Sequence, residues 1–535
     1  MRRTKNLKKL KRMSSIPPVI LLLLAYFFKE LIFTALIPMW HTPDEQAHFA
    51  QVAYFAEFGK MPSTAPDLNR EIFESEKLLG TLRDSNGNNK FTYHPEYKIQ
   101  YTNSYIGKYE NEINNFPREY RQELVKQEAA NYPPLYYWIS SVPYKFFYNS
   151  GLITRVFVLR MISVLMGVGM VYFVFLIGKI IFSKNTLYQY TLVILVAFQP
   201  MFSFVSAGIT SDNLTNLFFT IVIYCGFLVL KNGIKKNSIF LFISILFLLY
   251  LTKPQFILAL PIFLTALIIK LLLSKAFLLT KILLTTLFGL VLLALAININ
   301  NPAIYQLLEK VYPQSFFPGK ALFSVNSVEF LKISLNRIIH ETIPWYWGVF
   351  DWLGVVMPIE VIRILNRLMI LAGTGILIKL FLMLRKRNRE DWYFLYLILI
   401  SLIYFGGILL WDFIYYQSHY FSFGLQGRYF FPTIIAHMAI FLVGLVTLVP
   451  KKLAVIKEIW TKLIAVGMMT LNFLALWIIL KIYYDLSNLN AFIIESSQYK
   501  PWFFKGGMLI FWIIAYFIIL CLFFYRFLRL KLVKP

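Results

Sequence analysis

"VILLLLAYFFKELIFTALIPM", residues 19–39, runs directly into "WHTPDEQAHFAQ", residues 40–51. The first stretch approaches the roughly 20 apolar residues that carry a helix across a bilayer. The second stops it with Asp44 and Glu45, flanked by His41 and His48. An anchor can end on any polar residue, so what surrounds this acidic corner decides what the chain does.

The whole chain shares the apolar character of its first run. Of 535 residues, 58% are hydrophobic, 18% aromatic and only 15% charged, and the mean hydropathy is +0.62. A water-soluble protein would lack the polar surface to cover so much apolar material. The expected fold is an all-α polytopic membrane protein of about 12 transmembrane helices. The spans fall near 17–39, 155–181, 187–206, 213–230, 238–252, 256–273, 282–299, 359–384, 392–411, 429–449, 462–483 and 506–527.

The net charge of +26 belongs to topology and not to a nucleic-acid partner. Basic clusters lie in "MRRTKNLKKLKRM" (1–13), "KNGIKK" (231–236), "KLLLSKAFLLTK" (270–281), "RKRNR" (385–389), "KKLAVIKEIWTK" (451–462) and "RFLRLKLVKP" (526–535). Apolar runs come in pairs between them, so one alternating topology puts every cluster and both termini on the cytoplasmic side. The N-terminus looks like a signal sequence but has no small-residue cleavage site, so a retained first helix is expected. Cys225 and Cys521 both lie in apolar runs, which leaves neither a disulfide framework nor a cysteine metal site.

The chain then divides into a basic cytoplasmic tail (1–16), a first transmembrane helix (17–39), an external loop (40–154), core transmembrane helices (155–299), a second external loop (300–358) and C-terminal helices with a basic tail (359–535). The first loop carries about half of the 27 acidic residues. Within it, 44–58 reads as a short helix, and "YPPLYYWISSVPYKFFYN" (132–149) as an aromatic segment lying in the membrane interface.

"TPDE" has a purely structural reading. Thr42 would be the N-cap, Pro43 the first helical residue, and Glu45 the far end of a capping box. That box would occupy Glu45 and leave Asp44 pointing elsewhere, with His48 one turn on. A carboxylate and an imidazole so spaced can share a proton or hold a divalent cation, for which Asp44, His48 and Asp212 are the candidates. Asp212 in "GITSDNLTN" reads equally well as an N-cap, and Lys253 and Arg428 as snorkelling cations. Arg160 sits about a turn inside a span, where a charge needs a partner or a pathway. Two carboxylates and several cations at one membrane face suit a substrate with a phosphate and a hydroxyl, one end of it in lipid.

"PDEQAHF", "YPPLYYW", "SDNL", "LTKPQ", "WYWGVFDWLG" and "QGRYFFP" together resemble a group of bacterial integral-membrane proteins in the GT-C glycosyltransferase superfamily. The resemblance runs from about residue 17 to 450 and departs from the pattern at Asn131-Tyr132 and Asp351. It implies a GT-C-like fold and a transferase using a polyprenyl-phosphate-linked sugar at the outer face of the plasma membrane. The acceptor would be a cell-surface glycan or a lipid-linked acceptor. It further implies Asp44 as catalytic base, Asp212 as an orienting or cation-holding acid, and Glu45 and His48 in support. Tyr132, Tyr136, Trp347, Gln426 and Tyr429 come from the same motifs as candidates to line the substrate. Some members of the superfamily use a divalent cation and others do not.

The chemistry points the same way. Glycoside hydrolysis uses two carboxylates because the leaving alkoxide must be protonated. A sugar on a phosphate already has a good leaving group, so one base suffices, with cations to meet the growing phosphate charge. Asp44 would be the base, and Lys253, Arg428 and Arg160 would bind the phosphate. The rival classes are a transporter or flippase of lipid-linked glycans, a glycan ligase or polymerase, and a structural scaffold. A transporter would show internal repeats and mid-span charges; no clear repeat is visible.

Overall fold

The computed structural model describes residues 16–62, 67–85, 87–99, 101, 107–127, 132–274, 327–385, 388–419 and 421–532. Among these, eight helices are long and apolar enough to cross a membrane: Pro18–Leu36, Leu152–Ile181, Asp212–Asn232, Ile359–Arg385, Glu390–Tyr416, Gly427–Thr447, Ala454–Tyr483 and Gly506–Leu528. The chain is a helical, multi-pass membrane protein.

Twelve uniform spans are not what the described residues form. The segment expected at 187–206 is two helices, Thr186–Ala197 and Pro200–Ser206, bent by 57°. Pro200 has no N–H to continue the ladder and drives Gln199 into an extended conformation, φ −64° and ψ 123°. The side chain of Gln199 then caps the second helix by accepting from the N–H of Phe202 at 2.5 Å. Lys29, buried in the first span, donates to the freed carbonyl of Ala197 and to Ser203 Oγ at 2.6 Å. Its charge is balanced by Glu30 at 2.8 Å. The segments expected at 238–252 and 256–273 are the shorter helices Lys236–Tyr250 and Phe256–Leu272. Their 15 and 17 residues are shorter than the roughly 20 of an ordinary crossing. The span expected at 282–299 lies outside the described residues.

The first span begins with Pro18 at a position where no N–H is needed and stops because Pro38 pushes Ile37 into extended backbone. It packs against Gly506–Leu528 and Leu152–Ile181.

Outside the membrane body lie short helices and two small antiparallel pairs, Asp67–Asn69 with Leu124–Gln127 and Val349–Phe350 with Val355–Val356. Helix Glu45–Phe58 buries Phe49, Val52 and Ala53 and packs on helix Leu135–Phe146. The latter buries Tyr136, Tyr137, Ser140, Ser141 and Tyr144. Its other side exposes Trp138, Val142 and Phe146, spaced four apart and therefore on one face. That is the amphipathic pattern expected of the aromatic segment.

Candidate active site

The acidic corner forms no capping box. The helix starts at Glu45, and Asp44, its cap, takes the left-handed conformation, φ 61° and ψ 15°, without a side-chain capping bond. A short polar residue tolerates this region best after glycine. Glu45 turns inward to accept from the N–H groups of Trp40 (3.1 Å) and Ile209 (3.2 Å) and from Arg160.

Arg160 is not a phosphate ligand. It is fully buried, its Nε and Nη2 bind the two Glu45 oxygens at 2.7 and 2.6 Å, and its remaining donors reach the carbonyls of Thr34, Ile37 and Pro38. These carbonyls close the first span, so Arg160 and Glu45 lock the exit of that helix to the start of the next. With every donor used, none remains for a substrate.

With Glu45 held inside, the adjacent Asp44 projects to the other side. Its Oδ2 accepts from Arg428 Nη2 at 2.7 Å and its Oδ1 from Arg83 Nη2 at 3.1 Å. Burial would raise the carboxyl's pKa, but the charges of Arg428 and Arg83 outweigh it and hold the group ionised well below the usual range. Arg428 is itself aimed by Gln426, whose Oε1 accepts from Nε at 2.8 Å. Two close approaches bring the pieces together. A side chain on Gly427 would strike the backbone at Thr342 and Tyr346, and one on Gly208 would strike Thr42.

A second ion pair, Lys253 with Asp212, stands beside the first. Lys253 lies 4.5 Å from the centre of the Tyr132 ring. Between the pairs sits His48, whose Nδ1 meets Tyr137 Oη at 2.9 Å and whose Nε2 meets Thr210 Oγ1 at 3.4 Å. Burial and then the charge of Lys253 push its pKa down to about 3, so the imidazole is neutral. Asp44, Asp212 and Arg428 also act on it electrostatically. Burial and both carboxylates likewise keep the phenol of Tyr132 protonated.

In each pair the carboxylate is the more open partner. The side chains of Asp44 and Asp212 are 39% and 22% exposed, whereas those of Arg428 and Lys253 are 6% exposed. Tyr132, Gln426 and Tyr429 are partly exposed around them. Tyr136 and Trp347, expected to line the substrate, are buried instead: Tyr136 packs edge-on beneath His48, and Trp347 lies against Tyr346 and Phe441.

A divalent cation does not fit this donor set. Asp44 and Asp212 already accept from cationic side chains, and both ring nitrogens of His48 have hydroxyl neighbours. Among the described residues, no three His, Cys, Asp or Glu side chains gather at one point. Arg83 has no signal in the sequence: it stands in a loop, in no motif, 39 residues from the carboxylate it holds.

No curated protein matches the chain. Among solved structures it is similar to ArnT from Cupriavidus metallidurans bound to undecaprenyl phosphate. The identity is 13% over 95% of this chain and 76% of that one, with a TM-score of 0.38. For the apo state of the same protein the identity is 13% over 93% and 74%, with a TM-score of 0.37. Similarity at that level transfers no residue role. The family model described as "Predicted membrane protein (DUF2142)" matches residues 27–437, and the chain belongs to that family.

Proposed function

We propose that this protein is a membrane glycosyltransferase of the GT-C type that moves a sugar from a polyprenyl-phosphate donor to a hydroxyl of a surface glycan or lipid-linked acceptor. The carrying observation is the meeting of Asp44 and Arg428 at 2.7 Å with the Asp212–Lys253 pair beside them. A base and two cations that suit a phosphate stand together, with the carboxylates toward solvent.

In the reaction, the acceptor oxygen attacks the sugar's anomeric carbon from the side opposite the phosphate. Asp44 takes the hydroxyl proton, the carbon–oxygen bond to phosphate breaks, and the phosphate leaves with the electron pair. Arg428 and Lys253 meet the charge that grows on it. In-line displacement inverts the anomeric centre. General-base help is worth on the order of 10²–10⁴-fold, and preorganised cations contribute about as much again. His48 remains neutral and, with Tyr137, packs behind the base.

Asp44, Asp212 and Arg428 lie at helix ends remote from basic clusters. Asp44 follows the first span, whose N-terminal side is basic; Asp212 opens a helix that ends near Lys231; Arg428 opens one that is followed by Lys451 and Lys452. The positive-inside rule therefore favours an external site and cytoplasmic termini. A lipid-borne donor keeps its reacting carbon at the headgroups, which is the depth at which the first span stops.

Incubating the purified protein in nanodiscs with a panel of polyprenyl-phosphate sugars and oligosaccharide acceptors tests this function. The expected result is acceptor-dependent release of polyprenyl phosphate with an inverted sugar linkage. Movement of intact lipid-linked glycan between leaflets, without any transfer, would establish the flippase instead.

A further inference from the structure

Asp44 has two guanidinium partners, and they are placed differently. Arg428 binds Oδ2 and belongs to the "QGRYFFP" turn within the helical body. Arg83 binds Oδ1 and comes from the external loop, beyond helix Arg70–Leu79. The Gln46 amide, oriented with its oxygen toward Arg83, accepts from Nε and Nη2 at 3.0 Å. On its other side Arg83 lies 5.2 Å from the centre of the Trp352 ring.

Trp352 stands on an unusual turn. Asp351, Trp352 and Leu353 all take positive φ, at 52°, 48° and 72°, and none is glycine. Three successive left-handed side-chain residues are costly and persist only when their surroundings hold them. Here the surroundings are specific. The buried Asp351 Oδ1 lies 3.2 Å from His41 Nδ1 and accepts from Tyr483 Oη at 3.1 Å. Thr92 Oγ1 donates to the Asp351 carbonyl at 3.0 Å, and the Trp352 N–H to the His41 carbonyl at 3.2 Å. Three other segments, at His41, Thr92 and Tyr483, thus pin a strained turn whose product is one indole under one guanidinium.

We infer that Arg83 is the positioning residue of Asp44: it keeps Oδ1 in place when the donor phosphate draws Arg428 from Oδ2, with Trp352 as its platform. This rests on the glycosyl-transfer reading above. With both arginines in place the carboxylate is a well-fixed but weak base. Once Arg428 turns to phosphate, only Arg83 remains bonded to Asp44, which gains basicity without losing its orientation. The other groups around the carboxylate are His48, Asp212, Lys253, Tyr132 and Tyr429.

The test uses full-length protein in nanodiscs and two measurements: binding of undecaprenyl phosphate by calorimetry, and the pH dependence of transfer from whichever panel donor turns over. Arg83→Gln is expected to leave the undecaprenyl phosphate Kd within about threefold, whereas Arg428→Gln weakens it about tenfold or more. Arg83→Gln should lower kcat about tenfold. It should also lose rate at an acid pH that wild type tolerates, because removing a cation raises the pH at which the base protonates. Arg83→Lys recovers part of kcat. Trp352→Leu shifts the profile in the same direction as Arg83→Gln, and Trp352→Phe less. Arg83 would instead be a phosphate ligand, and the inference overturned, if Arg83→Gln weakened lipid binding as much as Arg428→Gln. It is also overturned if the pH profiles of Arg83→Gln and Arg83→Lys superimpose on wild type while Asp44→Asn is inactive. Full transfer by Asp44→Asn removes the glycosyl-transfer role of Asp44 and this inference together.

Discussion

Asp44 and Arg428, 384 residues apart in the chain, meet at 2.7 Å. A carboxylate on the turn after the first span is thereby tied to a guanidinium that opens a late transmembrane helix. In the proposed reaction, the donor phosphate would compete with Asp44 for this arginine.

Replacing Asp44 by Asn keeps the size of the side chain and removes its basicity. The expected outcome is normal membrane insertion with transfer reduced about 10²-fold or more. Release of polyprenyl phosphate, followed by thin-layer chromatography, reads this directly.

Arg428→Lys separates charge from geometry. A lysine retains the positive charge but cannot offer the planar fork that binds Asp44 and Gln426 together. We expect a rise of about fivefold in the donor KM for lysine and more than about tenfold for alanine. Equal KM values in wild type and Arg428→Ala would return this residue to an ordinary interfacial role.

Arg160→Gln should damage stability and not recognition. Its partner Glu45 is completely buried, and breaking such a pair from one side costs about 3–5 kcal/mol. A much lower melting temperature in detergent is expected, while the surviving folded fraction binds undecaprenyl phosphate with unchanged Kd.

His48 gives a pH signature with a definite sign. Its pKa falls from 6.5 to about 3 in the folded protein, so between those values the unfolded chain binds the extra proton. Stability therefore falls as pH is lowered through this window. His48→Gln should flatten part of that fall when the apparent melting temperature is followed from pH 7 to pH 4.

Chelation discriminates the metal question from the outside. Since both carboxylates are met by protein cations, EDTA is expected to leave the transfer rate within about twofold. A loss restored by magnesium or manganese would reassign Asp44 and Asp212 as ligands.

The broad architecture was legible along the chain because the bilayer is a demanding solvent. Any crossing segment must be long, apolar and helical, and the long runs announce themselves. The bent pair at 197–200 is invisible along the chain because hydropathy does not register the break. Its cause, Pro200, is a single residue, and its compensation by Lys29 comes from another span. The acidic corner was visible too, but its internal assignment was not. A local capping box competes with a distant arginine for Glu45, and Arg160, buried with it, wins.

What the linear order of residues settled is therefore the membrane-spanning helical class and the presence of charged groups at helix ends. Folding alone decided which charges meet. It turned Arg160 inward, brought Arg83 out of an unremarkable loop, and set Trp352 beneath it on a left-handed turn. Hydrophobic periodicity is a local property of consecutive side chains, whereas ion pairing depends on which segments pack together. In a low-dielectric body each buried charge must find its partner wherever in the chain that partner lies.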